Sequence, residues 1–218
     1  MKGNRDQQLK IFEIFHSLQG ESHFVGLPTV FVRLTGCPLR CTWCDTEYAF
    51  FGGQWMSFTE IIDQVKQHNT PYVCVTGGEP LAQKRVFQLM DQLVEQGFEV
   101  SLETAGSLSV KEVNPAVHKV LDLKAPGSGE VKKNLYDNLA VLTAKDQVKF
   151  VIADEVDYKW AKEIINKYEI NKQCQILMSP VADVLPAKQL ADWILADQLP
   201  VRFQIQLHKL LWGDTPGT

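Results

Sequence analysis

The 218-residue sequence lacks long apolar runs and clusters of positive charge. No apolar stretch approaches the roughly 20 residues that cross a bilayer, so we expect no membrane-spanning helix. The first ten residues are polar and contain no apolar core of a signal peptide, so we expect no secretion signal. Basic and acidic residues are mixed along the chain, with a net charge of −4. Because a nucleic-acid-binding surface usually shows a clustered positive charge, we expect no nucleic-acid partner.

The sequence also lacks an even cysteine count, a linker and an internal repeat. Five cysteines argue against a disulfide framework, and clustered thiols in a chain without an export signal indicate a reducing cytoplasm. A chain of this length is one ordinary domain or at most two small ones. We therefore expect a single cytoplasmic domain over residues 1–218, with residues 1–9 flexible and residues 213–218 forming a tail.

Short apolar segments alternate with amphipathic helical segments along the chain. The predicted strands cover residues 10–15, 29–34, 72–76, 98–103, 119–124, 147–152, 175–178 and 201–206, and the predicted helices 57–68, 81–96, 134–139, 156–168 and 187–196. This alternation predicts a mostly parallel sheet with helices outside. About six such units fall short of the eight in a closed barrel. We therefore expect an α/β fold, a partial, open TIM-like (β/α)6 barrel with some helices reduced.

Three of the five cysteines lie close together as Cys37, Cys41 and Cys44, with the spacing Cys-x3-Cys-x2-Cys. Thiolates are soft ligands that suit zinc, copper(I) or iron–sulfur clusters. A closed zinc site needs four ligands, usually in two pairs, and no second pair follows. The clusters of electron-transfer ferredoxins are held by four cysteines. Three thiolates on a four-iron cluster leave one iron open to a small molecule, which indicates catalysis.

Polar residues follow the predicted strands where each strand ends. They lie at residues 76–80, 103–106, 122–124, 179–180 and 208–209. Functional groups gather at the carboxyl ends of parallel strands. We therefore predict one site that combines these segments with the cysteine loop.

The cysteine motif, with Trp43 before the third cysteine, resembles the signature of the radical S-adenosylmethionine (SAM) superfamily. Leu-Gln-Gly-Glu at 18–21, Phe-Val-Arg-Leu-Thr-Gly at 31–36 and Trp-Cys-Asp-Thr at 43–46 resemble the 7-carboxy-7-deazaguanine synthases. Further matches spread over nearly the whole chain. The resemblance implies Mg²⁺-dependent conversion of 6-carboxy-5,6,7,8-tetrahydropterin to 7-carboxy-7-deazaguanine. Ammonia is lost, and the product feeds 7-deazapurine and queuosine biosynthesis.

The resemblance also implies three cofactors: a [4Fe–4S] cluster, SAM and Mg²⁺. It makes the three clustered cysteines cluster ligands and Thr46 a magnesium ligand. The glycine-rich turn at 76–80 resembles the SAM-binding turn of the superfamily, where glycines let a ligand approach the backbone closely. The implied SAM contacts are Trp43, Cys44, Asp45, Gly78, Asp122, Leu123, Lys124, Ser179, Pro180 and Val181.

The residues implied to bind the substrate are Leu18, Gln19, Gly20, Glu21, Arg33, Thr76, Glu103 and His208. The pterin carries one carboxylate and an edge of donors and acceptors. A guanidinium such as that of Arg33 can bind a carboxylate through two hydrogen bonds. A carboxylate such as Glu103 or Glu21 can accept from the pterin amine and ring N–H groups.

The resemblance further implies a reductant of flavodoxin or ferredoxin type and a homodimer. Two alternatives stay open. One is a radical SAM activase of a partner protein, suggested by the apolar residues Leu210, Leu211 and Trp212. The less favoured one is a zinc-binding module with His23 or His208 as the fourth ligand. The C-terminal carboxylate reaches the active site in some relatives, but tail length varies, so we assign no role to Thr218.

Overall fold

The computed structural model describes residues 7–213, 215 and 217; Thr218 lies outside the described residues. The strands are β1 (Gln8–Leu18), β2 (Pro28–Leu34), β3 (Gln54–Ser57), β4 (Tyr72–Gly77), β5 (Glu99–Thr104), β6 (His118–Asp122), β7 (Gln147–Ile152), β8 (Gln175–Pro180) and β9 (Arg202–Phe203). They form one sheet in the order β3-β1-β2-β4-β5-β6-β7-β8-β9. The strands from β2 through β4 to β9 run parallel, and β1 and β3 pair antiparallel.

The helices are α1 (Phe58–Val65), α2 (Val86–Glu95), α3 (Glu155–Tyr168), α4 (Ala187–Ala196) and α5 (Leu207–Trp212). The described chain has no helix between β5 and β6, and only short 3-10 helices between β6 and β7. Hydrogen bonds do not close the sheet between β3 and β9. The predicted open, partial barrel with reduced helices is therefore confirmed. No helix in the part of the chain that the structure describes is long and apolar enough to cross a membrane.

Several predicted elements change at their edges. Strand β1 begins at Gln8, and Leu9 is 1% exposed, so the expected flexible segment 1–9 is wrong for these two residues. The strand predicted at 201–206 has only two residues, since the chain then turns into α5, which was not predicted. The predicted helix at 134–139 is a 3-10 helix, Tyr136–Val141.

The two faces of the sheet are chemically different. Apolar side chains of α1, α2, α3 and α4 pack on the outer face and form a continuous buried core with the strands. On the inner face, alternate residues of β2, β6 and β7 line a cavity: Phe31 and Arg33, Val120 and Asp122, Lys149 and Val151. Successive side chains of a strand point to opposite faces. Polar groups therefore collect on the inner face while the outer face holds the fold together.

The loop between β1 and β2 crosses the inner face and contacts the far side of the sheet. Ser22 N donates to Gln204 Oε1 at 3.0 Å, and Gln204 Nε2 donates to Ser22 O at 2.8 Å. His23 N donates to Gln147 Oε1 at 2.7 Å. These side-chain bonds hold the loop against the inner face without strand pairing, and Glu21 of the loop reaches Lys149 of β7.

Candidate active site

A cavity of about 360 Å³ lies at the carboxyl ends of the parallel strands. It brings together all but three of the residues assigned to the site from the sequence. Those in its wall are Leu18, Gln19, Gly20, Glu21, Arg33, Cys37, Cys41, Trp43, Cys44, Asp45, Thr46, Thr76, Gly78, Glu103, Asp122, Lys124, Val181 and His208. The structure therefore brings the strand-end residues and the cysteine loop together in one cavity.

Three expected SAM contacts do not line the cavity. Leu123 is fully buried and belongs to the outer core. Ser179 and Pro180 are buried in β8, and only Val181 of that segment reaches the cavity wall. Ser179 Oγ is buried without a hydrogen-bond partner among the described residues, and SAM contact by these three residues stays a prediction.

The cysteine loop follows β2 directly and is held at several points. Gly36 N donates to Ala49 O at 2.9 Å and Thr42 N to Ser128 O at 3.0 Å. All three cysteines are half-buried free thiols. Burial raises the pKa of each thiol, that of Cys41 to about 11, while the nearby positive charge of Lys124 acts in the opposite direction. Lys124 thus favours thiolates at this loop.

The glycine-rich turn after β4 packs against the start of the cysteine loop. A Cβ at Gly78 would lie 2.3 Å from Gly36 O and 2.8 Å from Cys37 Cβ. Glu79 N donates to Gly36 O at 2.9 Å, and the buried Glu79 carboxylate accepts from Leu81 N. Close backbone packing, besides the ligand approach expected from the sequence, therefore requires glycine at 78.

Glu103 is the acceptor at the centre of the predicted substrate residues. Its Oε1 accepts from Gln19 Nε2 and its Oε2 accepts from Thr76 Oγ1, each at 3.2 Å. The three residues come from the β1–β2 loop, β4 and β5. The structure thus assembles distant parts of the chain around one carboxylate.

Arg33 is held in the cavity wall and is only 14% exposed. Its Nε donates to Glu13 Oε1 at 2.7 Å, and Tyr48 OH donates to the same oxygen at 3.1 Å. The guanidinium carbon lies 5.3 Å from the centre of the Phe15 ring and 5.8 Å from that of Tyr48. Arg33 is therefore oriented by its neighbours and is not a mobile surface residue.

Helix α5 places His208 beside the β1–β2 loop. Leu207 N donates to Gly20 O at 3.0 Å. The imidazole is so close that a Cβ at Gly20 would lie 2.1 Å from His208 Nδ1. Glycine at 20 thus leaves room for the ring.

Comparisons with known proteins point to one family. The radical SAM superfamily matches residues 31–168. A 7-carboxy-7-deazaguanine synthase of Chlorobaculum tepidum is 45% identical, over 94% of each chain. Another, from Koribacter versatilis, is 42% identical over 96% of this chain and 99% of its own. This chain belongs to the 7-carboxy-7-deazaguanine synthase family.

The crystal structure of QueE from Escherichia coli shares the fold, with a TM-score of 0.76 over 92% of this chain and 95% of that chain, at 24% identity. Family membership confirms the predicted resemblance and makes the chain a radical SAM enzyme that uses a [4Fe–4S] cluster and SAM. The synthase relatives give no support to the activase and zinc-module alternatives.

The cysteine loop fits the cluster that the family implies. Cys37, Cys41 and Cys44 line the same cavity. Among the described residues, no group of three or more His, Cys, Asp or Glu side chains is placed to hold a single metal ion. Three soft thiols that line one cavity suit the iron–sulfur cluster that the family implies.

Asp45 and Thr46 offer adjacent oxygen ligands in the cavity wall. Thr46 Oγ1 donates to Asp45 Oδ1 at 2.6 Å, and Gln206 Nε2 donates to Asp45 Oδ2 at 3.2 Å. Burial alone would raise the pKa of Asp45, but the Thr46 hydrogen bond and the charges of Lys149 and Lys209 lower it below its usual value. Hard oxygen donors of this kind suit Mg²⁺, which keeps several waters and takes few protein ligands.

One charged residue of the cavity was missed from the sequence. Lys149 Nζ donates to Glu21 Oε2 at 2.7 Å and lies 3.6 Å from Asp122 Oδ2. Its signal was available: Lys149 is the one charged residue in the strand Gln-Val-Lys-Phe-Val-Ile. Lysine is almost never buried without a partner, so a lysine inside an apolar strand indicates a buried ion pair.

Proposed function

We propose that the protein converts 6-carboxy-5,6,7,8-tetrahydropterin to 7-carboxy-7-deazaguanine with loss of ammonia, as a step of 7-deazapurine and queuosine biosynthesis. The observation that carries this proposal is one cavity that holds the three cysteines together with Arg33 and Glu103. The synthase names of relatives that match this chain over nearly its whole length support it.

The cofactors supply the radical: when bound, the cluster and SAM together provide one-electron cleavage of SAM and a radical that removes hydrogen from the substrate. The chain's own residues bind, orient and shield the reactants. The described hydrogen bond of Arg33 uses Nε, so its two terminal nitrogens are the donors that would bind the substrate carboxylate. A guanidinium already held by Glu13 and two aromatic rings loses little freedom on binding, which favours affinity.

Glu103 would accept hydrogen bonds from the pterin amine and ring N–H groups. Gln19 and Thr76 already donate to its two oxygens and so fix the plane of the carboxylate. His208, packed on Gly20, would cover the substrate from the side of α5 and exclude water from it.

We infer that Mg²⁺ binds at Thr46, with Asp45 beside it and with substrate oxygens and waters as the other ligands. We also infer a single domain, supported by the continuous core, a cytoplasmic location, a homodimer and a flavodoxin- or ferredoxin-type electron donor. Light scattering would give the mass of the assembly, and reduction by candidate donor proteins would identify the electron source.

The test is an anaerobic assay of the reconstituted protein with SAM, a strong reductant, Mg²⁺ and the carboxypterin. We expect 7-carboxy-7-deazaguanine by mass spectrometry, and a lower rate when Mg²⁺ is removed by a chelator. Absence of the product from protein with a full iron and sulfide content would overturn the proposal. An unchanged rate without Mg²⁺ would overturn the metal site alone.

A further inference from the structure

Lys149 lies between two carboxylates that belong to different parts of the cavity. Glu21 comes from the β1–β2 loop, among the substrate residues, whereas Asp122 ends β6 beside Lys124. Lys149 Nζ is 2.7 Å from Glu21 Oε2 and 3.6 Å from Asp122 Oδ2. The Lys149 side chain is 12% exposed. One buried ammonium group therefore joins both halves of the site.

Each of these carboxylates has a second oxygen without a partner. Glu21 Oε1 and Asp122 Oδ1 are buried and accept no hydrogen bond from the residues that the structure describes. Nearly all buried polar atoms in proteins are hydrogen-bonded, and an exception calls for an explanation. Both residues line the cavity, so N–H or O–H groups of bound ligands can supply the hydrogen bonds that these oxygens lack.

We propose that Lys149 is a positioning residue that holds Glu21 and Asp122 so that Glu21 Oε1 accepts from the pterin and Asp122 Oδ1 accepts from SAM. The pterin half of this assignment rests on the proposed function, whereas the SAM half does not. The pterin has an amine and ring N–H groups, and SAM has hydroxyl and amino groups. Both ligands therefore carry the donors that the two oxygens require.

The charge around Lys149 agrees with this role. Burial alone would lower the pKa of the Lys149 ammonium, but Glu21, Asp122 and Glu103 outweigh burial and hold that pKa well above its usual value. Lys124 Nζ also lies 3.0 Å from Asp122 Oδ2. Asp122 therefore keeps one cation when Lys149 is replaced, whereas Glu21 loses the cation that its Oε2 contacts. We expect the pterin side to suffer more than the SAM side.

The experiment compares Lys149→Met with Lys149→Arg, which keeps the charge, and with Lys119→Met. Lys119 forms a buried pair with Asp146 outside the cavity, so its loss matches the loss of a buried cation without touching the site. The probes are SAM, measured as a dissociation constant by equilibrium dialysis without reductant, and carboxypterin, measured as KM and kcat. All proteins are reconstituted and matched in iron content.

We expect Lys149→Met to raise KM at least tenfold and the SAM dissociation constant about threefold or more. Lys149→Arg should recover most of both losses, and Lys119→Met should leave both constants within twofold of the wild type. Wild-type constants in Lys149→Met would overturn the proposal, and so would equal losses in Lys119→Met. If the wild type makes no product, the proposed function fails and the SAM constant still tests Lys149.

A second pair of variants covers the case in which Lys149→Met does not fold. Glu21→Gln removes the carboxylate that would be left without its cation, so Lys149→Met/Glu21→Gln is compared with Glu21→Gln alone. A weaker SAM affinity in the double variant supports the role of Lys149 at Asp122. Equal SAM affinities in these two variants would overturn it.

Discussion

Two buried lysines of the parallel strands, Lys119 of β6 and Lys149 of β7, have different surroundings. At the amino end, Lys119 Nζ is 3.1 Å from Asp146 Oδ1, and Asp146 Oδ2 accepts from Thr143 N and Oγ1. In the wall of the cavity, Lys149 holds Glu21, but Glu21 Oε1 has no partner in the described structure. A fully satisfied buried network makes a fold rigid, whereas a partly satisfied one costs stability. The first arrangement suits a structural role, and the second suits a site that a ligand completes.

The largest effect should come from removing a cluster ligand at the carboxyl end. Cys41→Ala leaves two thiols, too few to hold a four-iron cluster, so iron content, visible absorbance and SAM cleavage should fall to background. Cys174→Ala is the matched control, because Cys174 is a buried thiol outside the cavity. It should keep the iron content and activity of the wild type. A Cys41→Ala protein with the wild-type iron content would contradict the assignment of the cluster ligands.

The next prediction concerns the amino end. Lys119→Met leaves the carboxylate of Asp146 without its cation in a buried position. Removing one partner of a buried ion pair costs roughly 3 kcal/mol or more of unfolding free energy, measured by urea denaturation. Because this pair lies outside the cavity, KM for the carboxypterin should stay within twofold.

The exposed pair of Lys188 and Asp192 on α4 provides the control for Lys119→Met. Lys188 is 85% exposed, and its Nζ lies 2.5 Å from Asp192 Oδ2. Exposed ion pairs contribute at most about 1 kcal/mol, so Lys188→Met should be nearly neutral. If Lys119→Met loses no more unfolding free energy than Lys188→Met, the buried pair of Lys119 and Asp146 has no structural role beyond that of an exposed pair.

The fold was predictable where local pattern and burial agree. Helix α4 and strand β7 have the bounds that periodicity predicts. Strand β3 was not predicted, because its exposed residues, such as Trp55, form a strand only by pairing with β1. The predicted strand at 201–206 has only two residues, and Gln204 beyond it accepts a hydrogen bond from the β1–β2 loop through its side chain. Pairings between distant residues decide where these two strands form, and the local periodicity of the sequence carries no information about such pairings.

The residues of the site also differ in whether the sequence alone could predict them. The cysteines, Arg33 and Glu103 follow from motif and resemblance, since each residue type has its own chemistry. The pairing of Lys149 with Glu21 joins residues 128 positions apart in the chain, so only the folded chain reveals it. Leu123 and Ser179 belong to segments that resemble SAM-contacting ones, but neither lines the cavity, so their contact with SAM stays a prediction.

A smaller effect is expected where backbone packing joins the glycine turn to the cysteine loop. Gly78→Ala introduces a methyl group 2.3 Å from Gly36 O, and overpacking of this kind costs about 1–3 kcal/mol. The displaced turn should also weaken SAM binding in equilibrium dialysis.

Gly97→Ala is the control for Gly78→Ala. Gly97 has a φ of +87°, and a Cβ there meets no atom within 4 Å. Gly97→Ala should lose about 1 kcal/mol of unfolding free energy from backbone strain alone and keep the SAM affinity of the wild type. Unchanged SAM affinity in Gly78→Ala would show that this turn does not shape the cofactor site.

The smallest effect on stability should come from the start of α1, which plays no part in the surroundings of either lysine. Ser57 caps this helix: its Oγ accepts from Glu60 N at 3.3 Å, and Glu60 Oε2 accepts from Ser57 N at 2.7 Å. Ser57→Ala should cost about 1 kcal/mol of unfolding free energy and leave kcat and KM unchanged.

The hydrogen bonds from Ser57 lower the pKa of Glu60 below its usual value. This part of the cap is therefore fully present above the unfolded pKa of Glu60 and is lost as the pH falls through the lower folded value. The variant keeps the backbone bond to Glu60 but lacks the bond from Ser57 Oγ to Glu60 Oε2, so the difference between wild type and Ser57→Ala should narrow in acid. A difference that stays constant down to about pH 3 would show that this hydroxyl bond to Glu60 contributes nothing.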